Sequence, residues 1–326
     1  MPVELNGAFW VWMFFSLSGF LVGEAFLDGR YNLSAKGYFS FLWNRSLRIL
    51  PLYYIALCFG FIFEFVASPD ELNALQVIQQ YLFISPANSI PLSGPLWAVA
   101  VIVHFYILSI LFVWMIAKVT LEKRPALLLS LFVLSIVIIS GLQIKSCGYH
   151  FGQPRTLIDN FHFFIWGILL SVINWERMPR ISSLHKYGAV FILTMIAWYG
   201  CNWKLPYFWG LGGPLSRYVA LSGGALCALS IVFIILMREP EGNHRGKESK
   251  WLTTLAWCGY YSYGIYVCHS ILGKANQLFF HLEPGIIRFV FLLLSLPVAF
   301  LSYKLMEAPL LQFRMGETAS HYSQYQ

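Results

Sequence analysis

Charge is scarce in this sequence. Asp, Glu, Lys and Arg together make up 11% of its 326 residues, against about 25% in an ordinary soluble domain, while 58% are hydrophobic and 18% aromatic. So few charges cannot cover the surface of a water-soluble domain of this size, which excludes the soluble classes and leaves a chain that crosses a bilayer repeatedly. Metal-binding cysteine patterns are missing as well. The six cysteines form no CxxC and no Cys/His pair at zinc spacing, so no metal is expected. Cys58, Cys227, Cys258 and Cys268 lie within apolar runs and read as core packing, whereas Cys147 and Cys201 fall near one membrane face, where an oxidising compartment would permit a bridge. No basic cluster precedes the first apolar run, so that run reads as a span and not as a cleaved leader. The net charge of +7 is dispersed over short loops beside apolar segments, which points to anionic lipid headgroups and away from nucleic acid.

What the chain has is apolar length. Nine runs, near 8–27, 49–67, 96–117, 126–142, 157–174, 187–203, 218–237, 253–272 and 286–303, approach the roughly 20 residues a spanning helix needs. The expected fold is therefore all-α, a polytopic integral membrane bundle of about nine transmembrane helices. A membrane domain would occupy 1–310 and a cytoplasmic tail 311–326. A short helix is expected over 71–81, outside the bilayer or at its surface. Of the 22 lysines and arginines, all but Lys145, Arg155, Lys204, Arg217, Lys274 and Arg288 fall on one side of this topology. That side is cytoplasmic by the positive-inside rule, and so is the tail. Met1 then falls outside with no leader to carry it, so either a helix upstream is missing or one span has been split. Trp10, Trp12, Trp97, Trp203 and Trp209 mostly fall near the outer interface and read as belt residues.

One cytoplasmic segment bears chemistry. In Arg45-Ser-Leu-Arg48-Ile-Leu-Pro51-Leu-Tyr53-Tyr54 two arginines stand a helical turn apart at the mouth of an apolar run. They either anchor a helix end among lipid phosphates or form paired forks for a phosphate-rich ligand, since guanidinium binds phosphate oxygens bidentately.

Five segments, in order, resemble the acyltransferase 3 family of membrane O-acyltransferases. Phe14-Phe-Ser-Leu-Ser18-Gly19-Phe-Leu is similar to its FFxLSGFL element, and the Arg45–Tyr54 segment to RxxRIxPLYY. Pro95-Leu-Trp-Ala-Val-Ala-Val-Ile102-Val-His104-Phe-Tyr106 resembles PLWSLAVExxFY. Tyr261-Ser-Tyr263-Gly-Ile-Tyr266-Val-Cys-His269 and Ser302-Tyr-Lys-Leu-Met-Glu307-Ala-Pro309 resemble SYxxYLxH and SYxxxExP. The resemblance covers nearly the whole chain. It implies transfer of an acyl group, commonly acetyl, from cytoplasmic acetyl-CoA or another acyl-CoA to a hydroxyl of an extracytoplasmic glycan. That glycan would be a cell-surface polysaccharide such as lipopolysaccharide or exopolysaccharide, or a lipid-linked oligosaccharide, at the bacterial inner membrane. It also implies that Arg45 and Arg48 hold the acyl-CoA, and that Ser18, Gly19, Tyr106, Tyr263 and Glu307 are motif positions. Two departures stand out: no histidine precedes His104, where the family's first helix bears one, and Ile102 occupies the glutamate position of the third motif. A catalytically silent relative that binds or moves lipid-linked glycan is the alternative these departures open.

The topology itself adds three imidazoles. His104, His162 (with Asp159 nearby) and His269 are expected at similar outer depth, either around a shared cavity with one acting as general base or as unrelated residues each bonded to nearby backbone. Glu24 and Glu307 end spans on the inner face, and Glu307 would pair with an arginine or reach towards water. Ser18 and Gly19 suit close helix approach, and the 161–167 run reads as packing. The sequence leaves the oligomeric state open.

Overall fold

The computed structural model describes residues 7–27, 29–84, 96–121, 157–172, 250–281 and 283–315. Within these residues every regular element is helical. They are α1 (Gly7–Leu27), α2 (Ala35–Ala67), α3 (Ala74–Tyr81), α4 (Trp97–Leu121), α5 (Leu157–Val172), α6 (Lys250–Ala275), α7 (Pro284–Ser302) and α8 (Ala308–Leu311). The expected spans at 126–142, 187–203 and 218–237 lie outside the described residues, as do Cys147, Cys201, Cys227, Trp203 and Trp209. Three stretches among the described residues are long and apolar enough to cross a membrane: Ala35–Ala67, Trp97–Met115 and Leu293–Leu311. Shorter apolar helical segments run over Phe14–Leu27 and Asn160–Leu169.

The largest difference from expectation is α2. Its apolar run begins at Ile49, but the helix begins at Ala35, where Ser34 caps it by accepting from the Gly37 amide at 3.2 Å. The 33-residue helix runs without a break through Pro51. Arg45 and Arg48 therefore sit about three turns inside a helix, not at its start. Hydropathy marks where hydrocarbon begins, whereas a cap marks where the helix begins, and here the two are 14 residues apart.

The chain divides into two compact units, with the boundary inside α4. In the first (Met1–Arg30 with Phe105–Asn243), α1 and α5 lie face to face with their backbones nearly touching. A Cβ on Gly19 would overlap the Phe164 carbonyl, and one on Gly167 would overlap the Ser16 carbonyl. Only hydrogen at these two positions allows so close an approach, the small-residue mode of packing expected between helices in lipid. Trp12 stacks on Phe163 at 5.0 Å and Phe15 on Phe164 at 4.8 Å, with Phe105 stacked on Phe164 at 4.0 Å. Trp12 is therefore a buried packing residue and not part of an interfacial belt. Glu24 forms an exposed ion pair with Arg30, Oε2 to Nη2 3.8 Å, a contact worth at most about 1 kcal/mol.

In the second unit (Tyr31–His104 with His244–Gln326), α6 packs against both α2 and α7. Gly264 admits α7 closely, because a Cβ there would lie 3.0 Å from the Ala299 Cβ. A 3-10 turn at Pro69–Glu71 leads into α3, capped by the Asn73 side chain on the Leu75 amide at 2.9 Å. α3 then runs back along α2, since the Tyr53 hydroxyl donates to the Gln80 carbonyl at 2.9 Å and the Tyr54 hydroxyl to the Tyr81 carbonyl at 3.4 Å. Cys58 is exposed and contacts the Tyr81 hydroxyl at 3.2 Å, which corrects its assignment to the core; Cys268 is buried. Burial, and secondarily this contact, push the Tyr81 hydroxyl up to about 12, so it remains a neutral phenol at physiological pH.

Candidate functional site

The middle of α2 gathers the polar groups of the second unit. Arg45 and Arg48 are three residues apart and share a helix face, and both are half-buried. The Arg45 guanidinium lies over the Phe41 ring, 5.4 Å from its centroid, an arrangement that holds a cation in place without neutralising it. Beyond α7, one π-helical turn (Tyr303–Glu307) offsets the helix register. It ends with Glu307 buried at 4% exposure, while Lys304 and Leu305 face outward. The Arg48 charge acts directly on the Glu307 carboxylate, and that carboxylate in turn acts on Cys268 of α6. Glu307 is thus a buried carboxylate within the field of a motif arginine. Tyr263, five residues before Cys268 on the same helix, donates its hydroxyl to the Ile49 carbonyl at 2.7 Å. Three separate motifs thus converge on one turn of α2.

A second cluster lies farther along α2. Phe83 has φ of 60°, in the left-handed region that a bulky residue rarely occupies. Its ring stacks on Tyr53 at 4.9 Å, and its main chain lies beside the His104 imidazole. Tyr53 lies fourteen residues before Ala67, the last residue of α2, or about 21 Å along the axis. Because α3 folds back along α2, Phe83 and His104 come beside the middle of that helix. Only five residues separate Arg48 from Tyr53, about 7.5 Å of rise.

The remaining sequence candidates fall elsewhere. His269 lies over the preceding turn of its own helix, with its ring 5.2 Å from that of Tyr266. His162 belongs to the first unit, where it is 4% exposed and its ring lies 4.0 Å from that of Phe163. Tyr106 is buried in the first unit, and its carbonyl accepts from Ser109 Oγ at 2.8 Å. Ser18 is buried in α1, and Gly19 is the point where α1 touches α5. Ile102, at the motif's glutamate position, is 2% exposed. Among the described residues no group of three His, Cys, Asp or Glu side chains is placed to hold a metal ion.

Sequence reasoning missed one contributor. The segment following α8 bonds to α2 through Trp43 Nε1 to the Phe313 carbonyl (2.9 Å), Asn44 Nδ2 to the Met315 carbonyl (2.8 Å) and the Met315 amide to Asn44 Oδ1 (2.8 Å). Asn44 also donates to the Tyr31 hydroxyl at 2.8 Å. The first residues of the expected cytoplasmic tail are therefore docked. A buried asparagine inside an apolar helix was the available signal, since such a group must find partners.

The acyltransferase 3 family model, described as an acyltransferase domain, matches residues 2–304, more than nine-tenths of the chain. The chain belongs to this family. With its apolar helices, that membership makes it an integral membrane protein and a member of an acyltransferase family. No curated protein and no solved structure matches it.

Proposed function

We propose that this protein is a membrane O-acyltransferase that takes an acyl group, most simply acetyl, from acyl-CoA on the cytoplasmic side. It passes that group to a hydroxyl of an extracytoplasmic glycan, a surface polysaccharide or its lipid-linked precursor, at the bacterial inner membrane. The nine-span topology with a cytoplasmic tail is part of this reading. Its main support is the convergence of three family motifs on Arg48. An arginine whose position is set by a buried carboxylate and a tyrosine-bonded helix turn is prepared for a phosphate ligand, whereas a lipid anchor needs no such framework.

Arg45 and Arg48 bind the coenzyme phosphates in bidentate fashion. His104 accepts the proton of the acceptor hydroxyl. A neutral imidazole beside the Phe83 main chain has one ring nitrogen available as an acceptor. The hydroxyl oxygen attacks the thioester carbonyl as its proton passes to His104. The C–S bond then breaks, and the departing thiolate recovers that proton from the imidazolium as the ester forms.

A second reading is favoured by one observation. Ile102 is apolar and buried where the family has a glutamate, so this position can neither orient a histidine nor accept a proton. In that reading the protein is a silent relative that binds or moves lipid-linked glycan. Purified protein in proteoliposomes, supplied with radiolabelled acetyl-CoA and a lipid-linked glycan extract, separates the two. Labelled ester on the glycan supports the enzyme. Glycan binding without labelled ester supports the silent relative.

A further inference from the structure

The segment Leu311–Met315 contains a third arginine. Phe313 and Met315, the residues on either side of Arg314, are bonded to Trp43 and Asn44, the two residues of α2 just before Arg45. The backbone of Arg314 is thus held from both sides against this part of α2, and the residue is half-buried. Asn44 and Arg48 are four residues apart and share a helix face. From Tyr303 to Leu311 the chain packs on α2, and by Met315 it reaches Asn44, so it runs as a strap along that helix. The two stretches that meet here, 31–49 and 302–315, contain Lys36, Arg45, Arg48, Lys304 and Arg314, with Glu307 their single acid.

Charge matching shows what this third cation adds. A terminal phosphate monoester carries about two negative charges, and coenzyme A has a ribose phosphate of that kind in addition to its pyrophosphate. Arg48 already shares its charge with Glu307, so the pair alone provides little more than one net positive charge. A second phosphate group on the same ligand calls for a further fork.

We infer that Arg314 is a donor-recognition residue, presented by the strap so that Arg45, Arg48 and Arg314 together bind the two phosphate groups of an acyl-CoA. This rests on the acyl-CoA reading above. It makes the strap part of the donor site, and makes Asn44 the residue that positions it.

The test measures donor preference in full-length protein in detergent micelles, comparing acetyl-CoA with acetyl-pantetheine, which has the same thioester and no phosphate. Arg314→Ala is expected to lower the preference for acetyl-CoA roughly 10- to 100-fold, the range for a lost charge-assisted hydrogen bond, mainly through KM. Arg314→Lys should restore it only in part, because charge is kept and the fork is lost. Asn44→Ala, which frees the strap, should shift the preference in the same direction as Arg314→Ala. An Arg314→Ala protein with unaltered preference, beside an Arg45→Ala protein that has lost it, overturns the inference and leaves the acyl-CoA reading intact. Wild-type protein that shows no preference for acetyl-CoA over acetyl-pantetheine overturns both.

Discussion

The His104 imidazole lies beside the main chain of Phe83, a residue held at φ of 60°. A bulky side chain in the left-handed region costs on the order of 1–3 kcal/mol and persists only where its surroundings enforce it. Here the Tyr53 ring stacks on Phe83, the Tyr53 hydroxyl holds Gln80, and His104 sits beside the Phe83 main chain. The histidine is placed to support this turn and, in the proposed reaction, to accept a proton.

His104→Gln separates those two roles. Glutamine can still donate hydrogen bonds but cannot take a proton at neutral pH. Acyl transfer should fall about 10²- to 10⁴-fold, the usual contribution of a general base, while thermal unfolding in detergent stays near wild type. Transfer by His104→Gln at the wild-type rate would reduce His104 to a residue that shapes the turn.

Glu307 and Arg48 should behave as a unit. Replacing Glu307 by Gln removes the carboxylate on which the half-buried arginine acts. The cost should be below the roughly 3–5 kcal/mol of a fully buried pair, since Arg48 is partly solvated. Stability and acyl-CoA affinity should both change, and Arg48→Met combined with Glu307→Leu should be less destabilising than the two single changes added. Strict additivity in that double-mutant cycle would show that the two groups are not coupled.

The three glycines between α1 and α5 should differ in tolerance. At Gly19 and Gly167 an added methyl meets main-chain carbonyl, which cannot yield, so alanine should cost about 1–3 kcal/mol or more. At Gly23 it meets chiefly the Ser171 side chain, Oγ with Cβ at 2.8 Å behind it, and the hydroxyl can rotate away or be removed. Gly23→Ala should therefore be the mildest of the three, and Ser171→Ala should relieve it. Equal losses at all three sites, read as thermal midpoints in detergent, would contradict the contact geometry.

Tyr263→Phe removes only the hydroxyl bonded to the Ile49 carbonyl. About 1 kcal/mol of stability should go with it, and the Arg48 turn should hold acyl-CoA less tightly. Unchanged acyl-CoA binding would mean that this bond does not help to place Arg48.

Much of this architecture was readable beforehand, and the failures have identifiable causes. Gly19 and the Phe161–Gly167 run were legible as packing because small and aromatic residues at helical spacing have few other uses in lipid. Glu307 was legible as a carboxylate at a span end that must either find a cation or reach water, but its burial was not, because the π-helical turn that sets its direction leaves no mark in the hydropathy pattern. The approach of His104 to the middle of α2 was not legible, because hydropathy does not show that α2 begins at Ala35 or that α3 folds back along it. The docking of Met315 was invisible to a hydropathy pattern, because its partner Asn44 lies 271 residues away.

The unbroken run of α2 past Pro51 has a mechanical consequence. Arg48 and Tyr53 are fixed points on one continuous helix, so the spacing and angle between the Arg48 turn and the Tyr53–Phe83 cluster are set by residue count. One inserted residue between them would turn one end by about 100° relative to the other and lengthen the gap by about 1.5 Å. The helix is a ruler, and its graduation in that interval leaves no room for insertions or deletions.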